Sequence, residues 1–498
     1  MNDLPAGWIY CAISDLGDLR LGKMLDRAKN RGLPANYLRN TNVRWFRFDL
    51  EDLNTIAVSP HEMRLLSIED GDLLICEGGE PGRCAVWDSG KNDLVFQKAL
   101  HRFRGGGAIL PKLLMYRMRL DAETGALARA FTGTTIKHLT RESLARYEVP
   151  VPPAPEQRRI VERLDSLLGR IDACRERIER LTEILKRFRE SILTAAIRGK
   201  LTHEWRIRYG EVATEGSGES ALASHEGERE PRAGRSRATS PKVEEVSALE
   251  RDKELLDFEL PPSWTLVRGR DVVEAGADIV YGIVQPGPKL RFGVPYIRGL
   301  DIERGRILVS QLQMTSSEIA KRYARASIRA GDVLLGIIRA TKVAIVPQGL
   351  DGANITQGTA RFRPSRAIRS RYLAIVLESP PIQKWLHAHY RGIDMPGLNL
   401  ADVRRVPIPL PPLEEQDDII RQVDVVFDLL ERLEARTVVA RAKLDSLTPA
   451  TLGKAFRGDL ISQSRPKRAG NVHTESQFND AETTERGRPR AGQFVLSK

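Results

Sequence analysis

Two short strings in this sequence approach motifs of nucleotide chemistry, and each lacks a residue that the chemistry needs. Residues 17–23 fit the first seven positions of a phosphate-binding loop, but Met24 stands where a serine or threonine hydroxyl would bind magnesium. Residues 379–382 (SPPI) are the nearest string to the loop with which DNA amino-methyltransferases hold an extruded base. They lack both the amide or carboxylate acceptor and the stacking ring. Neither string predicts a catalytic site.

Other catalytic signatures are missing from the sequence. No lysine has an aspartate or glutamate two residues before it, the spacing common in metal-dependent nucleases, and no HExxH or GxSxG string occurs. The four cysteines have no metal-site spacing and are too few for a disulfide scaffold; they are Cys11, Cys76, Cys84 and Cys174. The sequence therefore predicts a binding protein that is not an enzyme and that holds no metal and no cofactor of its own.

The charge balance favours a polyanionic partner. The chain of 498 residues carries 78 Lys and Arg against 66 Asp and Glu, a net charge of +12. A basic surplus is typical of proteins that bind nucleic acid. No apolar run reaches the roughly 18 residues that span a bilayer, and the first residues lack the pattern of a secretory signal. With so few cysteines, these features predict a cytoplasmic protein with no membrane partner.

The chain is an internal repeat, since residues 149–201 align without a gap with residues 408–460, at an offset of 259. The paired segments open with VPVPPAPEQRRIVERLD and IPLPPLEEQDDIIRQVD, and both close with RGxL. Upstream, LPAGW at residues 4–8 matches LPPSW at residues 260–264. The repeat predicts two successive units, each made of a globular part and a distinct C-terminal segment.

The segment that closes each unit has the pattern of a long helix. Apolar residues recur at alternating spacings of four and three from Ile160 to Ala195, and again from Ile419 to Leu447. This is the 3.5-residue period of a coiled coil. Pro449 is expected to kink or end the second helix. Each helix packs either on its own domain or on a partner helix, and their length favours pairing with each other, antiparallel because one chain folds back on itself.

The remaining sequence predicts the domain organisation. Residues 210–258 are rich in Gly, Ser, Glu and Ala and are interpreted as a flexible linker, and residues 461–498 as a polar tail. The globular parts mix short strand-like runs with short helical ones, which is typical of an α+β fold. We therefore expect two α+β domains, at 1–149 and 259–407, and two long helices, at 150–209 and 408–460.

The order and duplication of these motifs resemble the specificity (S) subunits of Type I restriction–modification systems. The LPxxW opening, the PPxxEQ helix entry and the RGxL helix exit each occur twice, and residues 21–45 (LGKMLDRAKNRG…YLRNTNVRW) resemble an opening block of first recognition domains. The resemblance covers nearly the whole chain. It implies two tandem target-recognition domains, each followed by a long helix, with the helices paired as an antiparallel coiled coil.

The same resemblance implies a function. Such a subunit binds double-stranded DNA at a bipartite, asymmetric target, with one half read by each domain and the helix pair as spacer. A helix pair of roughly 60 Å can span major-groove faces about 34 Å apart. The implied partners are two methyltransferase (M) subunits docked on the helices and restriction (R) subunits in the full complex. S-adenosylmethionine is then expected on the methyltransferase subunit rather than on this chain.

The residues expected to contact DNA are basic, amide or aromatic, because arginine and lysine bind phosphate or guanine and asparagine pairs with adenine. In the first domain they are Lys23, Arg27, Lys29, Arg31, Tyr37, Arg39, Asn40, Asn42 and Arg44. In the second domain they are Tyr281, Gln285, Lys289, Arg291, Tyr296, Arg298, Lys342, Gln357 and Arg391. Trp8 and Trp264 are expected to be core anchors.

Two other hypotheses stay open on the sequence alone. An enzyme with fused recognition domains would bind S-adenosylmethionine itself, and the missing catalytic strings argue against it. A coiled-coil adaptor whose globular domains bind protein rather than DNA would show DNA affinity with little salt dependence. A phosphate-binding protein instead loses affinity steeply as salt rises, so the salt dependence separates the adaptor from the DNA-binding subunit.

Overall fold

The computed structural model describes residues 4–26, 30–90, 93–209, 259–392 and 394–461. The predicted linker lies outside the described residues, as does the predicted tail apart from Ile461. The chain divides into two compact units: unit 1 comprises residues 1–169 and 447–498, and unit 2 comprises residues 170–446. Both divisions fall inside long helices.

Unit 1 is built from short strands and helices. Its strands are β1 (Ile9–Ala12), β2 (Gly17–Leu21), β3 (Leu33–Leu38), β4 (Val43–Arg44), β5 (Arg47–Phe48), β6 (Asn54–Val58), β7 (Leu73–Cys76), β8 (Cys84–Val86), β9 (Val95–Phe96), β10 (Leu100–Gly105) and β11 (Glu148–Val151). The helices are α1 (Ile13–Leu16), α2 (Pro60–Leu66), α3 (Pro111–Glu123), α4 (Arg141–Ala145) and the start of α5 (Ala154–Ile197). A four-stranded sheet has the order β2-β10-β7-β8 and a three-stranded sheet β6-β3-β9, while β1 pairs with β11 and β4 with β5.

Unit 2 repeats this arrangement strand for strand. Its strands are β12 (Thr265–Arg268), β13 (Val280–Tyr281), β14 (Val294–Ile297), β15 (Ile302–Glu303), β16 (Arg306–Ile307), β17 (Gln313–Thr315), β18 (Val333–Gly336), β19 (Val343–Ile345), β20 (Asn354–Ile355), β21 (Thr359–Phe362) and β22 (Pro407–Leu410). They form sheets β13-β21-β18-β19 and β17-β14-β20 and the pairs β12-β22 and β15-β16. Besides the end of α5, the helices are α6 (His203–Tyr209), α7 (Ser317–Arg322), α8 (Ser370–Glu378), α9 (Pro380–Ala388), α10 (Leu400–Arg405) and most of α11 (Leu413–Phe456). The sequence repeat is thus a repeat of sheet topology.

The cores explain why the apolar runs of the sequence become central strands. Strands β7 and β18 are buried along their whole length, as expected for continuous apolar runs. In unit 1, residues of β7 pack with Trp87 and Phe96. In unit 2 the largest core cluster joins Phe362, Tyr372 and Trp385 of the domain to residues of both long helices. Among the described helices, none combines the length and the apolarity needed to cross a bilayer.

The long helices α5 and α11 have 44 residues each, or about 66 Å at 1.5 Å per residue. Helix α5 is shorter than the segment of 150–209 assigned to it from the sequence. It starts late because β11 pairs with β1, and it ends at Ile197 because Gly199 adopts a left-handed φ of 68°. That conformation favours glycine and stops a helix.

Helix α11 does not end at Pro449, so of the two effects expected from the sequence, a kink or an end, the structure excludes the end. Helix α11 runs through Pro449 to Phe456. Beyond the proline, Leu452, Ala455 and Phe456 are buried, and the Phe456 ring makes an edge contact with Trp8 at 6.5 Å. This packing holds the last turns helical although proline removes one backbone hydrogen bond.

Within unit 2, ion pairs join α5 to α11. Arg175 lies 3.5 Å from Asp445, Glu179 lies 3.9 Å from Arg441, and Arg189 lies 4.0 Å from Glu434. From the first of these ion pairs to the third, the residue numbers rise on α5 and fall on α11.

The duplicated motifs are joints between a domain and the start of its own helix. Trp8 donates from Nε1 to the Glu156 carboxylate at 3.1 Å, and Trp264 donates to Glu415 at 2.8 Å. Both indoles are buried, which agrees with their prediction as core anchors. The carboxylates are the glutamates of the PPxxEQ strings, so these motifs have a structural role.

The glutamine of each PPxxEQ string satisfies backbone groups that burial would leave unpaired. Gln157 accepts from the Leu110 amide and donates to the carbonyls of Ala108 and Pro152, at 2.8–2.9 Å. Gln416 makes the corresponding three bonds in unit 2. Unpaired buried amides and carbonyls are costly, so the glutamine stabilises the entry of each helix.

The glycine of each RGxL string brings a helix end against an LPxxW opening. A β-carbon on Gly199 would lie 2.5 Å from Cγ of Pro261, and one on Gly458 would lie 3.0 Å from Cγ of Pro5. The end of α5 therefore packs against the start of the second domain in unit 2. The end of α11 packs against the start of the first domain in unit 1.

Candidate nucleic-acid interface

In each unit one loop connects the four-stranded sheet to the three-stranded sheet, and it is bounded by two glycines. Loop A, residues 22–32, joins β2 to β3, and loop B, residues 282–293, joins β13 to β14. Lys23 forms a parallel bridge with Gln97, and Ile283 forms the equivalent bridge with Thr356. The two loops are therefore counterparts in the repeat.

The bounding glycines are required by close backbone approach. In loop A, a β-carbon on Gly22 or Gly32 would lie 2.3 Å or 1.9 Å from the nearest carbonyl oxygen. In loop B, a β-carbon on Gly282 or Gly293 would lie 1.7 Å or 2.2 Å from one. No side chain fits at such distances, so both ends of each loop are held against neighbouring backbone.

Loop B lies against α7, and together they present a basic surface. The Thr315 hydroxyl donates to the Pro286 carbonyl at 2.8 Å, and a β-carbon on Gly287 would lie 3.1 Å from Ile319 Cδ1 of α7. Loop B contains no acidic residue. Its exposed basic residues and those of α7 and the following turn are Lys289, Arg291, Lys321, Arg322 and Arg325.

Loop A has the same relation to α2. Lys23 is buried and forms an ion pair with Glu62 of α2, and this hydrogen bond lowers the pKa of Glu62 to about 2. Arg31 of the loop and Arg64 of the helix are exposed. Arg27 and Lys29 lie outside the described residues.

Both loops also expose apolar side chains. In loop A, Met24 and Leu25 are exposed by 58% and 53%. In loop B, Phe292 is exposed by 80%, and Val284 and Leu290 are also exposed. Basic and apolar groups side by side suit a DNA groove, where phosphates attract cations and thymine presents a methyl group.

Several predicted contact residues are exposed, and four of them lie on the loops. Loop B carries Gln285, Lys289 and Arg291, and loop A carries Arg31. The other exposed candidates are Arg44, Tyr281, Lys342, Gln357 and Arg391. Arg391 forms an ion pair with Asp402 at 3.2 Å, and Lys342 lines a separate cavity of about 290 Å³ with Arg304 and Glu378.

Three other candidate contact residues are buried inside the protein. Tyr37, Asn42 and Tyr296 are buried. The Asn42 amide donates to the carbonyls of Asp49 and Asp52 at 2.9 Å, and the Tyr296 hydroxyl donates to Gln313 at 2.7 Å. These bonds give Asn42 and Tyr296 a structural role, and Tyr37 belongs to the core of unit 1. Contact of the three side chains with DNA stays a prediction.

Two half-buried arginines hold equivalent turns. Arg39 donates from its backbone amide to Asn42 at 2.9 Å and from its guanidinium to Asp52 at 2.7 Å. Arg298 donates to the Asp301 carboxylate through its backbone amide, Nε and Nη2, at 2.7–2.9 Å. Asn40, also half-buried, donates to the Gly78 carbonyl at 3.4 Å. All three are already engaged within the protein.

The sequence reasoning missed the apolar and helical parts of this surface. Met24, Phe292, Lys321 and Arg322 were not among the candidates, although they are exposed on the loops or on α7. The detectable signal was the pair of glycines, since Gly22 and Gly282 are 260 residues apart and Gly32 and Gly293 are 261 apart, close to the repeat offset. Side-chain exposure has no such signal in the sequence.

The thiols and acids of the described residues form no reactive cluster. No group of three or more His, Cys, Asp or Glu in this part of the chain is arranged to hold a metal ion. Burial raises the pKa of Cys76 to about 11 and that of Cys84 well above its ordinary value. Because the thiolate is the nucleophilic form, these two cysteines are inert.

Comparison with known proteins finds a matching family model, similar curated proteins and similar solved structures. A family model described as the Type I restriction modification DNA specificity domain matches residues 6–183 and 288–438. The EcoBI specificity subunit of Escherichia coli, a Type I restriction enzyme subunit, is 31% identical over 349 residues, which are 69% of this chain and 65% of that protein. The EcoKI specificity subunit of E. coli K12 is 22% identical over 502 residues, 95% of this chain and 93% of that protein.

Solved structures share the fold. One of them is described as the structural basis of complex assembly and conformational transition of the type I R-M system. It has a TM-score of 0.64 at 20% identity, and the match covers 92% of this chain and 100% of that chain. The HsdS subunit of Thermoanaerobacter tengcongensis has a TM-score of 0.50 at 20% identity, covering 92% and 98%.

Proposed function

Because the chain belongs to the family of Type I restriction modification DNA specificity domains, we propose that it is the DNA specificity subunit of a Type I restriction–modification complex. It binds double-stranded DNA at a bipartite target, and each unit reads one half. The chain is not itself an enzyme; methylation and cleavage belong to partner subunits. The observation that carries this proposal is the repeated packing of a loop against a helix, loop A with α2 and loop B with α7, with exposed cations in both units.

The two surfaces read different sequences, which makes the target asymmetric. Loops A and B occupy the same place in the repeated topology, but their sequences differ. Between its glycines, loop A has the sequence KMLDRAKNR and loop B has IVQPGPKLRF. Different side chains on equivalent scaffolds present different donors, acceptors and apolar groups to base edges. The candidate contact residues outside the loops, such as Arg44 and Gln357, extend each surface.

The long helices pair as an antiparallel coiled coil in this proposal, and the pair sets the spacing between the half-sites. Three ion pairs support it, because they match rising numbers on α5 with falling numbers on α11. The heptad pattern of both helices is the sequence signature of such a pair. A helix of about 66 Å is long enough to span successive major-groove faces about 34 Å apart.

The exposed apolar residues of the long helices are the proposed docking site for methyltransferase subunits. On α5, Ile184 lies outside the heptad seam and is exposed by 60%. On α11, Val425 and Leu429 also lie outside the seam, four residues apart on one helix face, and are exposed by 66% and 53%. Two methyltransferase subunits, each carrying S-adenosylmethionine, dock on these faces, and restriction subunits join the full complex.

A salt titration of DNA binding tests the DNA-binding role against the protein-adaptor alternative. We expect the affinity of the chain with its methyltransferase subunits to fall steeply as salt rises, because bound phosphates release counterions. The double variant Lys289→Ala/Arg291→Ala should reduce the slope of log Kd against log salt by about 2. The control variant Lys384→Ala/Arg208→Ala removes two exposed cations outside the loops and should keep the slope. A slope near zero for the unmodified chain would establish the adaptor.

A genome-wide map of N6-methyladenine, with the gene intact and deleted, tests the specificity role in the cell. Deletion should remove methylation at one bipartite motif and leave other motifs unchanged, since only this chain selects that target. The map also supplies the target sequence. An active partner methyltransferase whose pattern is unaltered by the deletion would contradict the proposal.

A further inference from the structure

We propose that loop B reads the 5-methyl group of a pyrimidine, thymine in unmodified DNA, through the ring of Phe292. The inference rests on the proposed function and names the base chemistry that unit 2 recognises. At 80%, Phe292 is the most exposed large apolar side chain among the described residues. Burying an apolar ring is favourable, so this ring marks a place where a ligand supplies the missing contact.

The ring is carried on a backbone that is fixed at several points. Phe292 directly precedes Gly293, where a β-carbon would meet the Thr315 carbonyl oxygen at 2.2 Å. Leu290 forms a bridge with Met314 of β17, and the Pro286 carbonyl accepts from the Thr315 hydroxyl. A preorganised loop loses little entropy on binding, which suits a contact that must discriminate between bases.

The charges around the ring identify DNA as the occupant. Lys289 and Arg291 precede it on the loop, and Lys321 and Arg322 are exposed on the adjacent α7, where Glu318 is the one acidic residue and lies 3.9 Å from Arg322. No acid lies in loop B. A polyanion with apolar groups at its base edges complements this surface, because the cations bind phosphates while the ring meets the bases.

The position of Arg291 favours contact with a methyl group over insertion between base pairs. Its guanidinium carbon lies over one face of the Phe292 ring, 5.5 Å from the centroid. A side chain inserted between stacked bases has a base on each side, so the guanidinium would first have to move away. Contact with a methyl group needs only the edge or the open face, and the major groove presents that methyl at C5 of thymine.

The counterpart position in loop A provides an internal control. The residue before the closing glycine is Phe292 in loop B and Arg31 in loop A. Reading of the methyl group through this position is therefore confined to the half-site of unit 2. Changes at the half-site of unit 1 should not interact with a change at Phe292.

The test is a double-mutant cycle between Phe292 and the DNA methyl group, measured as Kd for the complex of the full chain with its methyltransferase subunits. Each thymine of the unit 2 half-site is replaced in turn by uracil, which lacks the 5-methyl group. At one position the unmodified chain should lose about fourfold in affinity, the worth of burying one methyl-sized group. Phe292→Ala should bind thymine and uracil DNA equally, and Phe292→Leu should restore part of the difference.

Two further arms separate the source of the methyl group and the role of the ring. With cytosine at the same position, 5-methylation should raise the affinity of the unmodified chain if the methyl group alone is read; no change would restrict the reading to thymine. Ile207→Ala removes another side chain exposed by 73%, on α6, and should leave the thymine preference intact.

Three results would overturn the inference. The first is a Phe292→Ala variant that keeps the full thymine preference. The second is a unit 2 half-site without thymine, and the third is a Phe292→Ala variant that weakens methyltransferase binding without DNA, which makes the ring a protein contact. Failure of the proposed function looks different, because the unmodified complex would then show no sequence preference at either half-site.

Discussion

At the joint between the second domain and α11, one glutamate of the duplicated motif binds three side chains. Glu415 is fully buried and accepts from Trp264 at 2.8 Å and from Thr202 at 2.6 Å, and it also forms an ion pair with Arg206. The duplicated motif predicted a buried tryptophan. It did not predict the cluster, because Thr202 and Arg206 lie more than 200 residues before Glu415 and reach it only through the folded chain.

We expect Glu415→Ala to lower the free energy of unfolding of unit 2 by about 3 kcal/mol, because it leaves the Arg206 charge and the Trp264 N–H without their partner. Urea unfolding followed by tryptophan fluorescence measures this change. The neighbouring Glu414 is exposed, so Glu414→Ala is the matched control and should change stability by less than about 0.5 kcal/mol. Equal effects of the two substitutions would show that the buried cluster contributes little.

His101 makes stability depend on pH. Its ring is buried, and Nε2 donates to the Leu139 carbonyl at 2.8 Å, while Nδ1 has no hydrogen-bond partner within the described residues. Burial lowers the pKa of His101 from its ordinary value of 6.5. The unfolded chain therefore binds a proton more readily, and stability that is complete above about pH 6.5 is lost as the pH falls below it.

His101→Gln removes this titration, and its amide can still donate to the Leu139 carbonyl. Between pH 7 and pH 5 the unmodified chain should lose up to about 1.4 kcal/mol per pH unit more than the variant. Urea unfolding at a series of pH values checks the difference. Parallel stability curves for the two proteins would mean that His101 has the same pKa in the folded and the unfolded chain, contrary to this expectation.

The helices and strands whose apolar pattern extends over several consecutive residues or turns were predictable from the sequence. The heptad pattern of α5 and α11 extends over many turns, and the strand-like runs around Leu73–Cys76 and Val333–Gly336 became central strands. Loops A and B were not predictable as elements, because the need for Gly22 or Gly282 arises from a strand more than 70 residues later in the chain. The sequence left the effect of Pro449 open, a kink or an end, for the same reason, since the packing beyond Pro449 outweighs the local effect of proline.

The continuous α11 gives a prediction at this scale. Pro449→Ala restores a backbone hydrogen bond to the carbonyl of Asp445 and relieves the ring clash, which together cost up to about 3 kcal/mol in a helix interior. The variant should therefore raise the thermal unfolding midpoint, as measured by circular dichroism at 222 nm. Thr451→Ala, on the same turn, is a control for general helix propensity. A lower midpoint for Pro449→Ala would show that the neighbouring packing requires the proline ring.

For the molecule as a whole, duplication accounts for the architecture. Eleven strands of unit 1 have counterparts in unit 2, and the joints recur with the same partners. The sequence predicted this repeat, because aligned motifs at one offset need no knowledge of the fold. The exposure of the proposed DNA-contact residues was less predictable, since buried Tyr37 and exposed Arg31 look equally suitable when only residue types are known.

The proposed spacer can be tested by shortening both long helices together. Deleting residues 171–177 and residues 443–449 removes one heptad from each helix around the Arg175–Asp445 ion pair, so the pairing of the remaining residues is kept. The pair becomes about 10 Å shorter, or about three base pairs of DNA. A methyladenine map should show loss of methylation at the original spacing. An unchanged spacing would exclude the helix pair as the determinant of the spacer.

The contacts of Gly199 with Pro261 and of Gly458 with Pro5 also bear on how such a gene can change. Each domain lies between two joints of the same chemistry, a proline that receives a helix end and a glutamate that receives a tryptophan. Recombination between these joints would insert a foreign domain as a cassette whose borders already match. On the proposed function, one exchange would supply a new half-target while the two joints at its borders are kept.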